Sequence, residues 1–130
     1  MALRCLIVDD NERFIVAARE LLEREGISVV GVASTSAEAF ERSGELRPDV
    51  TLVDIDLGAE SGFDVVRRLA DDAEGGAARV ILISTHAERD FADLIEASPA
   101  IGFLSKSELS AQGIRAILNG SIDSESAQGP

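Results

Sequence analysis

Two aspartates stand side by side in "CLIVDDN", residues 5–11, at the end of an apolar run. Adjacent carboxylates repel, and carboxylates are seldom buried, so a strand ending on such a pair needs a compensating charge. Other polar groups close other apolar runs: Asp54 and Asp56 in "LVDIDL", Ser84 and Thr85 in "ILIST", and Lys106 in "GFLSK". Carboxylates gathered from separate strands form a hard-oxygen site for a divalent cation, most naturally magnesium. A lysine and a hydroxyl beside that cation make a cradle for a tetrahedral anion such as a phosphoryl group. An aspartate inside the cradle can attack phosphorus and become an acyl phosphate.

These residues share a site only if the elements carrying them bring their ends together. The runs at 3–8, 27–33, 49–55, 79–84 and 100–105 are short, nearly continuous in apolar residues and rich in Val and Ile. That pattern predicts strands covered on both faces, as in a parallel sheet. Helical periods lie between them. Phe14, Ala17, Ala18, Leu21 and Leu22 repeat at three and four before Gly26, and Thr35 to Glu38 reads as a capping box opening a short helix through Phe40. Ser61 to Asp64 opens a third helix with Val65, Val66, Leu69, Ala70 and Ala73 on its apolar face. Thr85 to Glu88 reads as a box for a fourth, which Pro99 must end. A fifth is predicted from about Ser107 to Asn119-Gly120. Strand–helix five times over signifies an α/β doubly wound five-stranded parallel sheet, whose ligands bind at the carboxyl ends of the strands. All the polar groups named above fall at that edge.

Length and charge set the outer bounds. One domain of 130 residues buries roughly two-thirds of its unfolded surface. Twenty-four acids against 12 bases give a net charge of −12, which argues against direct contact with nucleic acid or an anionic membrane and suits a basic or metal partner. Cys5 is the only cysteine, so no internal disulfide forms and a reducing, cytoplasmic setting is expected. No apolar run has the length of a membrane span.

The paired acids, the aspartate of "LVDIDL", the end of "ILIST" and "GFLSK" together resemble the receiver domain of two-component response regulators, over residues 2 to about 120. The spacings are similar to the family's: 44 residues from Asp10 to Asp54, 30 from Asp54 to Ser84 and 22 from Ser84 to Lys106. The resemblance implies a flavodoxin-like fold with strand order 2-1-3-4-5, and a signalling domain rather than an enzyme. It implies that Asp54 takes a phosphoryl group from a phosphohistidine on a sensor histidine kinase or phosphotransfer protein. Magnesium would be held by Asp10, Asp54 and the backbone carbonyl of Asp56, with Asp9 acting through water. Lys106 would pair with the phosphoryl oxygens, Ser84 would move toward them, and Phe103 would be the coupled aromatic switch. Ser107 stands where many members carry a proline after a peptide that is often cis. The resemblance also offers a homodimer through the fourth helix, fifth strand and fifth helix.

Plainer roles compete for several residues. Asp10 suits a helix N-cap, Asp56 a turn and Thr85 a cap; Phe103 suits the core, Cys5 is a small buried hydrophobe, and His86 is either solvated or leans over the phosphoryl pocket. "LVDIDLG" also fits the Asp-x-Asp of a haloacid-dehalogenase-type phosphatase, with Asp54 as nucleophile and Asp56 as acid. That family, however, carries the motif on its first strand. A fold-retaining interaction module without phosphorylation is the third reading, and such modules usually lack an acid or the lysine. Residues 1–120 read as the domain, and 121–130 as a disordered tail or the start of a linker toward an output domain such as a helix-turn-helix.

Overall fold

Alternation within the strands decides the layers. In β1 (Leu3–Val8), Cys5 and Ile7 face one side of the sheet, Leu6 and Val8 the other, and all four are fully buried. β2 (Ile27–Ala33), β3 (Val50–Asp54), β4 (Val80–Ser84) and β5 (Gly102–Ser105) complete a parallel sheet in the order β2-β1-β3-β4-β5. This computed structural model describes residues 3–72 and 79–127. The five-stranded doubly wound fold is as the sequence pattern predicts, and the strand order is the one the family resemblance implies.

Each face has its own core. On one, α1 (Glu12–Arg24) and α5 (Ala111–Ala127) set Ala18, Leu22, Ile114 and Leu118 against Cys5, Ile7, Leu52, Ile81 and Ile83. On the other, α2 (Ser36–Leu46) and α3 (Gly62–Asp72) set Ala39, Val65, Val66 and Leu69 against Leu6, Val8, Val53, Val80 and Leu82. A 3-10 turn (Glu88–Phe91) leads into the short α4 (Ala92–Ala97), whose Ile95 packs on that second core. Each fully buried Leu, Ile or Val adds roughly 1.5–3 kcal/mol relative to exposure, so the strand residues dominate stability and hold the polar edge in place.

Several helix ends differ from the sequence reading. α2 runs to Leu46, not Phe40, because partly buried Leu46 continues the inward face; Thr35 caps it by accepting from Glu38 N at 3.2 Å. The Thr85 cap does not form. Ser84 Oγ accepts from His86 N at 3.0 Å, which draws the chain into a turn, and the helical segment starts only after Ala87 without a side-chain cap. α5 begins at Ala111 instead of about Ser107. Two acceptors fix that start by meeting free amides: Ser110 Oγ takes Gly113 N at 2.9 Å and Glu25 Oε1 takes Ala111 N at 2.7 Å. Lys106–Glu108 forms a 3-10 turn ahead of it. Helical backbone continues past Asn119-Gly120 to Ala127. Extending a formed helix is far easier than nucleating one, which offsets the polar composition there. Ala73 and residues 128–130 lie outside the described residues.

Cys5 sits in the middle of the first core, and burial pushes its thiol up to about 12. The thiolate is the reactive form. Iodoacetamide at pH 8 should therefore leave the folded protein unmodified and add one carbamidomethyl group in denaturant, as read by intact mass. Rapid labelling of the native protein would contradict this placement.

Candidate functional site

The site grows from the last residues of the strands. Past Val8, the Asp9 amide donates to Ala33 O at 2.9 Å and carries the β1–β2 ladder one residue further. Asp9 Oδ1 accepts from Asn11 N at 2.9 Å, turning the chain toward α1. Asn11 is the N-cap, accepting from Phe14 N at 3.2 Å. The capping reading of Asp10 is thereby excluded. Asp10 is exposed beside its fully buried neighbour.

At β3 the carboxylate of Asp54 is buried, and its Oδ1 accepts from Asp56 N at 3.1 Å. The chain then folds back as an antiparallel ribbon, Asp56–Leu57 against Glu60–Ser61, with Gly58 at φ +74°. Asp56 is exposed, and its Oδ1 accepts from Gly58 N at 3.0 Å, so its side chain does serve the turn. Gly62 N donates to Ile55 O at 2.7 Å, and a Cβ at Gly62 would collide with the Asp54 carbonyl. Only glycine lets α3 start that close to Asp54. Sequence reasoning missed Asn11 and Gly62. The spacing from Asn11 to Phe14 was available as a cap signal, whereas nothing short of the fold marks Gly62.

Lys106, arriving from β5, closes the site. Its Nζ lies 2.7 Å from Asp9 Oδ2 and 3.2 Å from Asp54 Oδ2, with the side chain only 10% exposed. The Asp9 contact is an ion pair without hydrogen-bond alignment, leaving the buried Asp9 Oδ2 with no hydrogen-bond partner. Asp9, Asp10 and Asp54 each bring a carboxylate oxygen to within 4.8 Å of the others. Three carboxylates against one ammonium form a donor set that fits a hard divalent cation.

Burial, with Asp9 nearby, pushes the Asp54 carboxyl up to about 6, against the lowering contacts from Asp56 N and Lys106. Burial works against the charge of Lys106, but its contacts with Asp9 and Asp54 outweigh that and its pKa rises. The lysine is thus cationic throughout the pH range in which Asp54 titrates.

A pocket of about 210 Å³ opens here, lined by Asp10, Asp54, Ser84, His86 and Lys106 among others. Larger grooves, about 550 Å³ beside Glu25 and Arg115 and about 580 Å³ between Phe40 and Arg68, gather no such set of strand ends. Ser84 is buried, and His86 Nδ1 approaches its Oγ at 3.4 Å while the imidazole meets Phe91 edge-on. His86 therefore does lean toward the pocket, though it is exposed. Phe103 pairs with Leu82 across the sheet and packs, partly buried, on the second core. The Lys106–Ser107 peptide is trans.

A doubly wound domain with this acidic edge and its lysine defines a class, and the chain belongs to it: the response regulator receiver domain family, whose model matches residues 5–119. The response regulator GacA of Pseudomonas viridiflava is 28% identical over 116 residues, 88% of this chain and 53% of that protein. The crystal structure of a two-component response regulator of the LuxR family from an Aurantimonas species superposes with a TM-score of 0.80 at 28% identity, over 95% of this chain and 87% of that one. A response regulator protein from Burkholderia pseudomallei, crystallised with a phosphorylated aspartic acid, calcium ion and citrate, gives 0.76 at 26% identity, over 98% and 73%. The chain spans about half the length of GacA. The phosphatase reading finds no support: Asp-x-Asp stands on the third strand, and Asp56 is occupied in a turn.

The raised Asp54 pKa has a sign for stability. The fold holds that proton where the unfolded chain, near 3.8, has lost it, so stability falls as pH rises from about 4 to about 6 and the cost is complete above. In chelator, Asp54→Asn should melt about 3–5 °C above wild type at pH 7.5, with the gain shrinking toward pH 4. Asp10→Asn, exposed and no cap, should change the melt little. A gain larger at pH 4 than at pH 7.5 would refute the assignment.

Proposed function

We propose that Asp54 is the phosphoryl acceptor of this receiver domain and that the donor is a phosphohistidine on a sensor kinase or phosphotransfer protein. The observation that carries this is a buried strand-end carboxylate held against the Lys106 ammonium, with Asp9 beside it. An Asp54 oxygen forms a bond to phosphorus as the P–N bond breaks, and the electron pair leaves with the imidazole nitrogen. Asp10, Asp54 and the Asp56 carbonyl would hold magnesium, with Asp9 acting through water. When bound, the ion neutralises charge on the phosphoryl oxygens. Lys106 pairs with those oxygens as well, and its ammonium replaces the lost attraction to the Asp54 carboxylate.

Ser84 Oγ, buried and bonded to His86 N, would donate to a new phosphoryl oxygen, and Phe103 one strand away is the ring that would respond. The surface that changes is then α4, β5 and α5, through which a homodimer would form. Asp54 chemistry makes the domain a signalling element that assists only its own phosphorylation and dephosphorylation. The chain acts in the cytoplasm without touching nucleic acid or membrane itself; no helix among the described residues is long and apolar enough to cross one. The named Burkholderia relative, with its phosphorylated aspartic acid, supports the acceptor role.

Incubation with magnesium and acetyl phosphate should add one phosphoryl group by intact mass, and Asp54→Asn should add none. Equal labelling of that variant would move the acceptor elsewhere. Magnesium at a hundredfold above its dissociation constant should raise wild-type stability by about 2.7 kcal/mol and Asp10→Asn much less. Equal stabilisation of both proteins would remove Asp10 from the ligand set.

A further inference from the structure

The Lys106 ammonium has a neighbour that neither the acids nor the metal reading explains. Its Nζ lies 4.3 Å from the centre of the Phe14 ring, on the first turn of α1. An ammonium carries three N–H donors. Asp54 accepts one of them at 3.2 Å, Asp9 lies beside the ammonium as an ion pair at 2.7 Å, and the ring covers a further side. With the lysine side chain only 10% exposed, this is a desolvated cation on an aromatic face, the setting in which such contacts are strongest. The ring itself is fixed. Asn11 Oδ1 holds the Phe14 amide, and the side chain packs, partly buried, against the first core.

We infer that Phe14 is a positioning residue for phosphoryl transfer, holding Lys106 where an incoming phosphoryl group needs it; this rests on the acceptor role proposed for Asp54. A lysine has four rotatable bonds, and each transfer requires its ammonium in one place. A ring that favours that place lowers the ordering cost carried by the transfer step. The contact also survives the reaction. Phosphorylation removes the Asp54 carboxylate as a partner, while the quadrupole of the ring is unchanged. A plain packing role would be met equally by leucine, which fills the same cavity without a π face.

The test compares wild type, Phe14→Tyr and Phe14→Leu. Phosphoryl gain from acetyl phosphate with magnesium is timed by intact mass, and the Lys106 side-chain methylene protons are assigned by NMR. Leucine should slow the gain about fivefold, equivalent to about 1 kcal/mol, and tyrosine should stay within about twofold of wild type. The Lys106 methylene resonances should lie upfield in wild type and the tyrosine variant, and return toward random-coil positions with leucine. Leucine at the wild-type rate, tyrosine as slow as leucine, or no upfield shift in wild type would each overturn the inference. Should the leucine variant not fold, the wild-type shift and the tyrosine rate still decide it. Wild type that gains no phosphoryl group would defeat the acceptor reading instead, and the shift would still show whether the ring holds the lysine.

Discussion

Two buried carboxylates share one ammonium at the carboxyl edge of this sheet, and the surroundings follow from that arrangement. Asp9 is fully buried and Asp54 nearly so, and the Lys106 ammonium lies within 3.2 Å of both. Removing the ammonium from such a cluster would leave uncompensated charge, a change that typically costs about 3–5 kcal/mol. The acids still outnumber the cation. The site is left short of positive charge, a deficit that a divalent cation would offset.

The scaffold supplies precision through small local devices. The Asx turn at Asp9 and the Asn11 cap fix the passage from β1 into α1, and the glycine at position 62 fixes the start of α3 against Asp54. On the far side of the first core, Glu25 at the end of α1 accepts from the first amide of α5. That single bond ties together the helix that follows Asp9 and the helix that follows Lys106. The two elements on either side of the ion cluster therefore share one mechanical reference.

The sheet was legible because each strand is a nearly continuous apolar run, and the acids because strand ends are marked by the first polar residue. Asp9, Asp54, Ser84 and Lys106 needed only the rule that parallel strands end on one edge. Helix starts were less legible, since capping depends on which competing acceptor wins. At Thr85 the neighbouring Ser84 hydroxyl captured the backbone first, and at α5 the deciding acceptor, Glu25, lies 86 residues away in the chain. Asp10 and Asn11 exchanged roles for the same reason. Phe14 was visible only as one member of an apolar stripe, because a stripe does not tell which residue touches a charge. Gly62 matters through the space it leaves empty, which no pattern of side chains records.

The parallel order of the sheet has a further consequence for assembly. Lys106 meets Asp54 across 52 residues of chain, and both β4 and β5 must be docked before it can do so. Contacts of such separation are closed only after their loop entropy has been met by other interactions. A chain stopped short of β5 would present its buried acids to one another with no cation between them. Competence to bind an anion at this edge therefore arrives with the last strand, and a partly folded chain has no rudimentary version of the site with which to transmit a false signal.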